Sequence, residues 1–377
     1  MKFKFLPIFV LLLLASRVLA QEQVHGYERT MKTAGFWISR HPSPDEVIMN
    51  PGAIDQFNAR LRGNKLTKDI FTLVGAAPRY GLVVHYASQR FLPTREGLYE
   101  KKNDDFDQLQ NSALDVGTPA ALVHTSADGR WYYVVTAISD GWVEAKYIVL
   151  GEVHQVRKFA EGGDFAVVIR PKADIFMNKS MTDYYDYVRM GMRLPLAGID
   201  AGRVTVNVPV MDANGTLAIK QAYMNAEDVN IGFLPMTARN IYKQALMMLN
   251  QPYGWGDMHG EQDCSRFLQM VFATAGITLP RDSKNQARVS HRVVDFDGKS
   301  DDAAKIAAIV RAPAANTLLV MKGHIMLYLG TVNGKPYVIH DTTASAMNRV
   351  IISDLSLGQG TPKGSLLKRL TRTVTIE

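Results

Sequence analysis

Residues 260–272 read Gly-Glu-Gln-Asp-Cys-Ser-Arg-Phe-Leu-Gln-Met-Val-Phe, and they contain Cys264, the single cysteine of the 377-residue sequence. The polar first half predicts a loop, and the apolar spacing from Phe267 onward predicts an amphipathic helix. Cys264 therefore lies at a predicted helix start, where free N–H groups and the helix dipole favour a thiolate over a thiol. We expect a lowered pKa and a role as nucleophile, rather than the packing role of a buried small hydrophobe.

Two histidines follow in a pattern that predicts a β-hairpin. His324 opens the strand-like run 323–330, His340 lies near the end of the next run, and Asn333-Gly334 between the runs is a hairpin signal. Antiparallel pairing would bring both histidines to the same edge of a sheet. A nucleophile on a helix, a general base on a strand and a third polar group that fixes the base's tautomer make a catalytic triad. We expect Cys264, His324 and His340 to be catalytic.

These residues and their surroundings resemble the NlpC/P60 family of cysteine peptidases, which cut bacterial cell-wall peptides. Asp263-Cys264-Ser265 on a helix, with two histidines on successive strands, is similar to the family's papain-like core. The flanking motifs Tyr-Gly-Trp-Gly at 253–256 and Leu-Pro-Arg-Asp-Ser at 279–283 stand in the family's order. One departure is Arg266, because many members have Gly or Ala there; this arginine could add a charge beside the substrate groove.

The resemblance implies roles for the residues around the nucleophile. The expected substrate-binding residues are Tyr253, Trp255, Asp263, Ser265 and Ser283. Asp263 would meet the ammonium group of an N-terminal L-alanine, and the two serines would hydrogen-bond the α-carboxylate of D-glutamate. Tyr253 would be an oxyanion donor beside the backbone N–H of Cys264. Without a substrate role, Ser265 would help to satisfy the helix start and Ser283 would cap the next helix.

The implied reaction is acyl transfer through Cys264. It cleaves the amide bond between γ-D-glutamate and a diamino acid, such as meso-diaminopimelate, in peptidoglycan stem peptides with a free N-terminal L-alanine. Two other classes remain open from the sequence. A thiol acyltransferase or a differently specific amidase can use the same triad. A non-catalytic wall-binding protein could keep the triad as a vestige, although an intact set of three residues argues against it.

The sequence predicts a multidomain protein, with an α+β papain-like catalytic domain preceded by a helical N-terminal extension and two small all-β SH3-like barrels. We expect a helical clamp domain at 21–85, barrels at 86–153 and 160–232, and the catalytic domain at 233–377. In the clamp, Ile54, Phe57 and Leu61 share one helical face. Strand-like runs recur about every ten residues in the first barrel, and its elements around Trp131 and Trp142 resemble bacterial SH3-like domains.

Composition argues against several other functions. The sequence contains no glycine-rich phosphate loop, no zinc-type Cys/His spacing and no dense basic run. It therefore predicts no cofactor, no metal site and no nucleic-acid partner. The formal net charge is +7, and removal of three leader cations, Lys2, Lys4 and Arg17, lowers it to +4. This mild basicity is compatible with an anionic wall polymer.

The first twenty residues predict an export signal. Lys2 and Lys4 precede an apolar stretch at 5–15, and Val18-Leu19-Ala20 suits signal-peptidase cleavage before Gln21. The apolar stretch is too short to span a membrane. We expect an exported protein, in the periplasm or secreted, without stable membrane insertion after cleavage.

Cleavage after Ala20 predicts that the mature protein begins Gln-Glu-Gln-Val. N-terminal sequencing of protein recovered from an extracytoplasmic fraction checks this. Soluble cytoplasmic protein that retains Met1 would contradict it.

Overall fold

The computed structural model of the chain describes residues 34–73, 78–101, 105–296, 300–344 and 347–377. The predicted export signal at 1–20 lies outside these ranges, as does the beginning of the predicted clamp domain. The described ranges contain two seven-stranded sheets, a six-stranded sheet and a pair of short strands. None of the helices in these ranges combines the length and apolar character that a membrane crossing requires.

The N-terminal region packs into the same core as the catalytic helices. Its elements are α1 (Ala34–Ile38), β1 (Val47–Met49) and α2 (Pro51–Gly63). Asn50 caps α2, because its side chain accepts a hydrogen bond from the N–H of Ala53 at 2.9 Å. Ile54, Phe57 and Leu61 are buried on one face of α2, as their spacing predicts. This face joins the apolar cluster of the catalytic domain and anchors the region there.

The first barrel is a seven-stranded antiparallel sheet. Its strands are β2 (Arg79–Val83), β3 (Ala87–Arg90), β4 (Gln110–Leu114), β5 (Pro119–Thr125), β6 (Trp131–Val135), β7 (Asp140–Glu144) and β8 (Ile148–Gly151), hydrogen-bonded in the order β4-β3-β7-β6-β5-β2-β8. The sheet begins at Arg79, before the boundary at residue 86 that the sequence suggested. Trp131 is buried, whereas Trp142 is partly exposed and packs edge-on against Tyr133 with ring centroids 5.4 Å apart.

The apolar core of the second barrel extends to one face of the first barrel, which also has a separate apolar cluster. Its elements are α3 (Val153–Glu161), β9 (Phe165–Val168), β10 (Lys172–Phe176), β11 (Tyr184–Arg189), β12 (Arg193–Asp200), β13 (Arg203–Met211), β14 (Leu217–Asn225) and β15 (Val229–Ile231), with strand order β11-β10-β14-β13-β12-β9-β15. Val156 and Phe159 of α3 lie in one buried cluster with Leu82 and Val149 of the first barrel and Val206 of the second. This buried cluster therefore joins the two barrels.

The catalytic domain combines helices with a six-stranded antiparallel sheet, which confirms the predicted α+β class. Its elements are β16 (Met236–Thr237), α4 (Ala238–Met247), α5 (Cys264–Ala273), α6 (Ser283–Gln286), β17 (Val293–Asp295), α7 (Asp302–Arg311), β18 (Thr317–Met321), β19 (His324–Val332), β20 (Lys335–Thr342), β21 (Arg349–Asp354), α8 (Leu366–Arg369) and β22 (Leu370–Thr375). The sheet order is β17-β22-β18-β19-β20-β21, and β16 pairs with β1. Thr237 caps α4, because its hydroxyl accepts a hydrogen bond from the N–H of Asn240 at 3.2 Å.

The predicted hairpin that carries the histidines is present. β19 ends at Val332 and β20 begins at Lys335, so Asn333 and Gly334 form a two-residue turn. Their φ angles are 50° and 76°, and positive φ at both central residues is the requirement of a type I′ hairpin turn. The pairing brings the first residue of β19 and the end of β20 to one edge of the sheet.

Six charged side chains form a largely buried network where the barrels meet the catalytic domain. Its members are Asp115 of the first barrel, Arg189 of the second, and Asp257, Asp263, Arg266 and Arg281 of the catalytic domain. Arg189 binds Asp115 through two nitrogens, with Nε 3.0 Å from Oδ1 and Nη2 3.0 Å from Oδ2. Nη2 of Arg281 lies 3.0 Å from Asp257 Oδ1 and 2.8 Å from Asp263 Oδ2. Three carboxylates thus balance three guanidinium groups.

The position of Arg266 corrects the expectation that it could add a charge beside the substrate groove. Its Nη2 lies 3.0 Å from Asp115 Oδ2, and its Nε lies 3.5 Å from Asp257 Oδ2. The side chain borders a separate cavity between the barrels and α5. The sequence did not show this because the main partner, Asp115, belongs to another domain.

Replacement of Asp115 by alanine should lower the free energy of unfolding by about 3–5 kcal/mol, because two buried guanidinium groups lose their shared counter-ion. Urea denaturation measures the effect. The matched control is Asp128→Ala, which removes an exposed carboxylate paired with Arg130 in the same barrel and should leave stability nearly unchanged. Equal small effects of both substitutions would contradict a stabilising role of the network.

Candidate active site

Cys264 is the first residue of α5, as the sequence predicts, and lies in a groove between the catalytic domain and the first barrel. Asp263 is the N-cap of this helix. Its Oδ1 accepts hydrogen bonds from the N–H groups of Ser265 at 3.1 Å and Arg266 at 2.9 Å. The N–H of Cys264 takes no part in the cap and remains for a ligand in the groove.

The groove has a volume of about 540 Å³. All five residues expected to bind substrate line it together with Cys264: Tyr253, Trp255, Asp263, Ser265 and Ser283. Its opposite side is formed by the first barrel and the N-terminal region. The structure thus brings the predicted substrate residues to one surface around the thiol.

His324 and His340 are both buried and in direct contact. Nε2 of His324 lies 2.7 Å from Nδ1 of His340, and Nε2 of His340 lies 3.1 Å from the hydroxyl of Ser353 on β21. If Nε2 of His324 donates to His340, and Nε2 of His340 donates to Ser353, every contact has one donor and one acceptor. Nδ1 of His324 is then the nitrogen that remains to accept the thiol proton. Ser353 adds a fourth polar group to the predicted triad, and no local motif marks it in the sequence.

The expected low pKa of Cys264 is not found. Burial raises the pKa of the thiol to about 12; the Asp263 carboxylate acts in the same direction, and a hydrogen bond from the backbone of Ile325 opposes both. Burial, with a smaller contribution from Arg369, lowers the pKa of His324 to about 4. Desolvation and the nearby carboxylate therefore outweigh the helix dipole. Without substrate, the site holds a neutral thiol and a neutral imidazole.

Tyr253 and Trp255 form an aromatic side of the groove, and Phe106 packs against both rings. The ring centroids of Phe106 lie 6.0 Å from Tyr253 and 5.4 Å from Trp255. Burial raises the pKa of Tyr253, and the charges of Cys264 and Asp263 add to the effect. The Tyr253 hydroxyl therefore stays protonated and is a hydrogen-bond donor close to the nucleophile.

Asp263 and Ser265 are both engaged within the protein. Besides capping α5, Asp263 receives hydrogen bonds from Nη1 and Nη2 of Arg281 at 3.1 and 2.8 Å. The Ser265 hydroxyl donates to Asp263 at 2.9 Å and accepts from Arg281 at 3.2 Å. Ser283 is the first residue of α6, whose N-cap is Asp282, so Ser283 does not cap that helix.

Several groove residues had no signal in the sequence. Lys68 of the N-terminal region forms an ion pair with Asp140 of the first barrel, and the Tyr133 hydroxyl donates to the same carboxylate at 2.5 Å. All three line the groove. Because they come from distant parts of the chain, no local motif marks them. In the described part of the chain, no group of three or more acidic, histidine or cysteine side chains is arranged to hold a metal ion.

Two family models match parts of the chain. The SH3 domain model of SH3b1 type matches residues 98–144, within the first barrel. The NlpC/P60 family model matches residues 250–359, which include Cys264, His324 and His340.

Two curated relatives are similar in sequence. The bifunctional muramidase/DL-endopeptidase CwlT of Bacillus subtilis is 30% identical over 104 residues, which cover 27% of this chain and 29% of the relative. A gamma-D-glutamyl-L-lysine dipeptidyl-peptidase of Bacillus cereus is 28% identical over 156 residues, 39% of this chain and 43% of the relative. The chain spans less than half the length of these curated relatives.

Two solved structures share the fold. An NlpC/P60 endopeptidase from Photobacterium damselae subsp. piscicida superposes with a TM-score of 0.73 at 20% identity, covering 91% of this chain and 96% of that one. An NlpC/P60 family protein from Bacillus cereus superposes with a TM-score of 0.56 at 20% identity, covering 78% and 98%. The chain carries an SH3b domain and an NlpC/P60 domain.

Proposed function

We propose that this protein hydrolyses the amide bond between γ-D-glutamate and a diamino acid, such as meso-diaminopimelate, in peptidoglycan stem peptides. The observation that carries the proposal is a thiol at a helix start in a groove, with a hydrogen-bonded pair of histidines in the same domain. The similar proteins whose names include DL-endopeptidase and gamma-D-glutamyl-L-lysine dipeptidyl-peptidase support this bond as the target. The predicted leader would place this activity outside the cytoplasm.

The reaction begins from the neutral thiol. As Sγ of Cys264 attacks the carbonyl carbon, its proton passes to Nδ1 of His324, so thiolate and imidazolium form only during attack. The backbone N–H of Cys264 and the Tyr253 hydroxyl stabilise the oxyanion of the tetrahedral intermediate. His324 then gives the proton to the leaving amine nitrogen, and the C–N bond breaks to leave a thioester on Cys264.

Deacylation uses the same groups in reverse order. His324 takes a proton from a water molecule as the water oxygen attacks the thioester, and the proton then returns to the departing sulfur. His340 stabilises the required tautomer of His324 through the 2.7 Å contact between their rings. The role of His340 is therefore to orient the base.

The groove supports selection of a peptide with a free amine. We assign the ammonium of an N-terminal L-alanine to the acidic groups of the groove, with Asp263 at the helix start and Asp140 at the barrel side. Ser265 and Ser283 are assigned to the α-carboxylate of D-glutamate, and Trp255 to contact with the peptide. The first barrel closes one side of the groove, which limits the peptide that precedes the glutamate.

Incubation of the purified protein with defined muropeptides, with products identified by mass, tests the proposal. Products split between γ-D-glutamate and the diamino acid are expected. Transfer of the acyl group to an added amine in place of water would instead support an acyltransferase, and unchanged muropeptides would support a wall-binding protein.

Replacement of Cys264 or His324 by alanine should lower kcat by at least about 1,000-fold, because each supplies a group that acts in every step. His340→Ala should keep measurable activity, since it removes only the orienting contact. Rates on a purified stem peptide, with circular dichroism to check folding, measure this. Substantial turnover by folded Cys264→Ala protein would exclude the proposed mechanism.

Acetylation of the alanine amine of L-Ala-γ-D-Glu-diamino acid should lower kcat/KM by at least about tenfold, because the neutral amide no longer attracts the carboxylates of Asp263 and Asp140 and the acetyl group needs room on the closed side of the groove. The muramyl lactyl amide on the same nitrogen should have a similar effect. Comparable kcat/KM values for the free and the acetylated tripeptide would remove the amine-binding role from Asp263 while leaving the cysteine chemistry intact.

A further inference from the structure

A buried carboxyl group close to the nucleophile has no part in the mechanism above. Asp341 follows His340 in β20, and its side chain is 0% exposed. Its Oδ2 accepts a hydrogen bond from Nε2 of Gln262 at 2.7 Å. Its Oδ1 is buried and has no hydrogen-bond partner in the described part of the chain. A buried polar atom without a partner is uncommon and calls for a specific reason.

The surroundings of Asp341 favour a protonated carboxyl group. Within the described ranges, Asp341 forms no ion pair. Burial raises the pKa of Asp341 well above its usual range; hydrogen bonds from the Gln262 side chain and from the backbone of Thr342 oppose this, and the charges of Asp263 and Glu261 add to it. On the neighbouring strand β21, the residue opposite Asp341 is Val350, whereas Arg349 lies opposite Thr342. A carboxylate buried in this way without a counter-ion would cost several kcal/mol, so the neutral acid is the stable form.

Gln262 connects Asp341 to the segment before the nucleophile. Its Nε2 donates a second hydrogen bond to the carbonyl oxygen of Pro252 at 2.9 Å. The backbone carbonyl oxygen of Gln262 accepts a hydrogen bond from the N–H of Gly254 at 2.8 Å, and Gln262 pairs with Tyr253 in a β-bridge. The Asp341–Gln262 contact therefore links the strand that carries His340 to the segment that carries Tyr253 and leads into α5.

The charge on Asp341 also bears on the chemistry. Asp341 acts electrostatically on Cys264 and on Tyr253, and in both cases its negative charge raises the pKa. An ionised Asp341 would therefore oppose formation of the thiolate and of the oxyanion beside Tyr253. A neutral carboxyl group gives the same hydrogen bond without this repulsion.

We propose that Asp341 is a positioning residue which, as a neutral carboxylic acid, holds Gln262 and thereby fixes Tyr253 and the start of α5 relative to the catalytic histidines. Asp341 touches neither substrate nor reacting atoms in this role. The inference rests on the proposed peptidase activity for its kinetic consequences, but its structural part concerns the free protein.

Two substitutions separate the hydrogen bond from the charge. Asp341→Asn keeps a neutral group of the same shape with an oxygen that accepts from Gln262, and it should retain kcat/KM near pH 7 within about threefold. Asp341→Ala removes the acceptor and should lower kcat by about tenfold or more with little change in KM, because the reacting groups lose their alignment. The matched control is Asp354→Asn, which changes another buried acid of the same sheet, hydrogen-bonded to Ser356, and should leave both constants unchanged.

Two measurements need no substrate. Difference infrared spectra at pH 7 should show the C=O band of a protonated carboxyl group that disappears in Asp341→Asn. The rate of Cys264 alkylation by iodoacetamide should rise more steeply at alkaline pH in Asp341→Asn than in the unaltered protein, since only the latter gains a negative charge beside the thiol. These readouts remain valid if the protein fails to cleave stem peptides, which would refute the proposed function alone.

The proposal is overturned if Asp341→Asn loses as much activity at pH 7 as Asp341→Ala, because the carboxylate charge would then be required. It is equally overturned if folded Asp341→Ala keeps full kcat, or if the infrared band is absent. Should Asp341→Ala fail to fold, Gln262→Leu removes the same contact from the other side and is expected to show the same loss of kcat with an unchanged KM; full kcat in Gln262→Leu would also overturn the proposal.

Discussion

The hydrogen bonds that Asp263 accepts at the start of α5 determine where the nucleophile lies. One carboxylate oxygen satisfies two backbone N–H groups of the first turn, and both oxygens are held by Arg281. The helix start is therefore fixed from two directions. Because the cap uses the N–H groups that follow Cys264, the N–H of Cys264 itself takes no part in the cap and is the proposed oxyanion donor. The cap thus sets both the position of the thiol and the donor beside it.

The same contacts make the active site depend on the barrels. Arg281 also binds Asp257, and Asp257 lies within 3.4 Å of Arg189 from the second barrel. Asp115 of the first barrel then joins Arg189 to Arg266 on α5. The first barrel, which forms one wall of the groove, and the second barrel are thus held to the helix of Cys264 by paired charges rather than by apolar contacts alone. A shift of either barrel would separate these buried ion pairs and leave charges without partners, at a cost of several kcal/mol in free energy. The ion pairs therefore hold the groove in one shape.

Local patterns in the sequence predicted the elements that carry the chemistry. The capped helix after Asp263 and the Asn333-Gly334 hairpin depend on neighbouring residues, and both are present. The buried partners of Arg266 and the Lys68–Asp140 pair were not predictable, because each joins residues from different domains. The pKa of Cys264 was misjudged for a related reason. The helix dipole is visible in the sequence, whereas the burial that opposes it depends on the tertiary structure.

The charge balance around the thiol explains why proton transfer and attack should occur together. Arg281 lies near the nucleophile, yet its positive charge is offset by Asp257 and Asp263. The network as a whole is neutral, so it holds the helix in place without stabilising a thiolate. In the proposed mechanism, a negative charge on Sγ gains a partner when His324 becomes protonated, and the oxyanion gains donors at the Cys264 N–H and the Tyr253 hydroxyl. Under this proposal the site stabilises charges that appear during the reaction more than charges present before it, which is the condition for catalysis rather than for tight binding of the starting peptide.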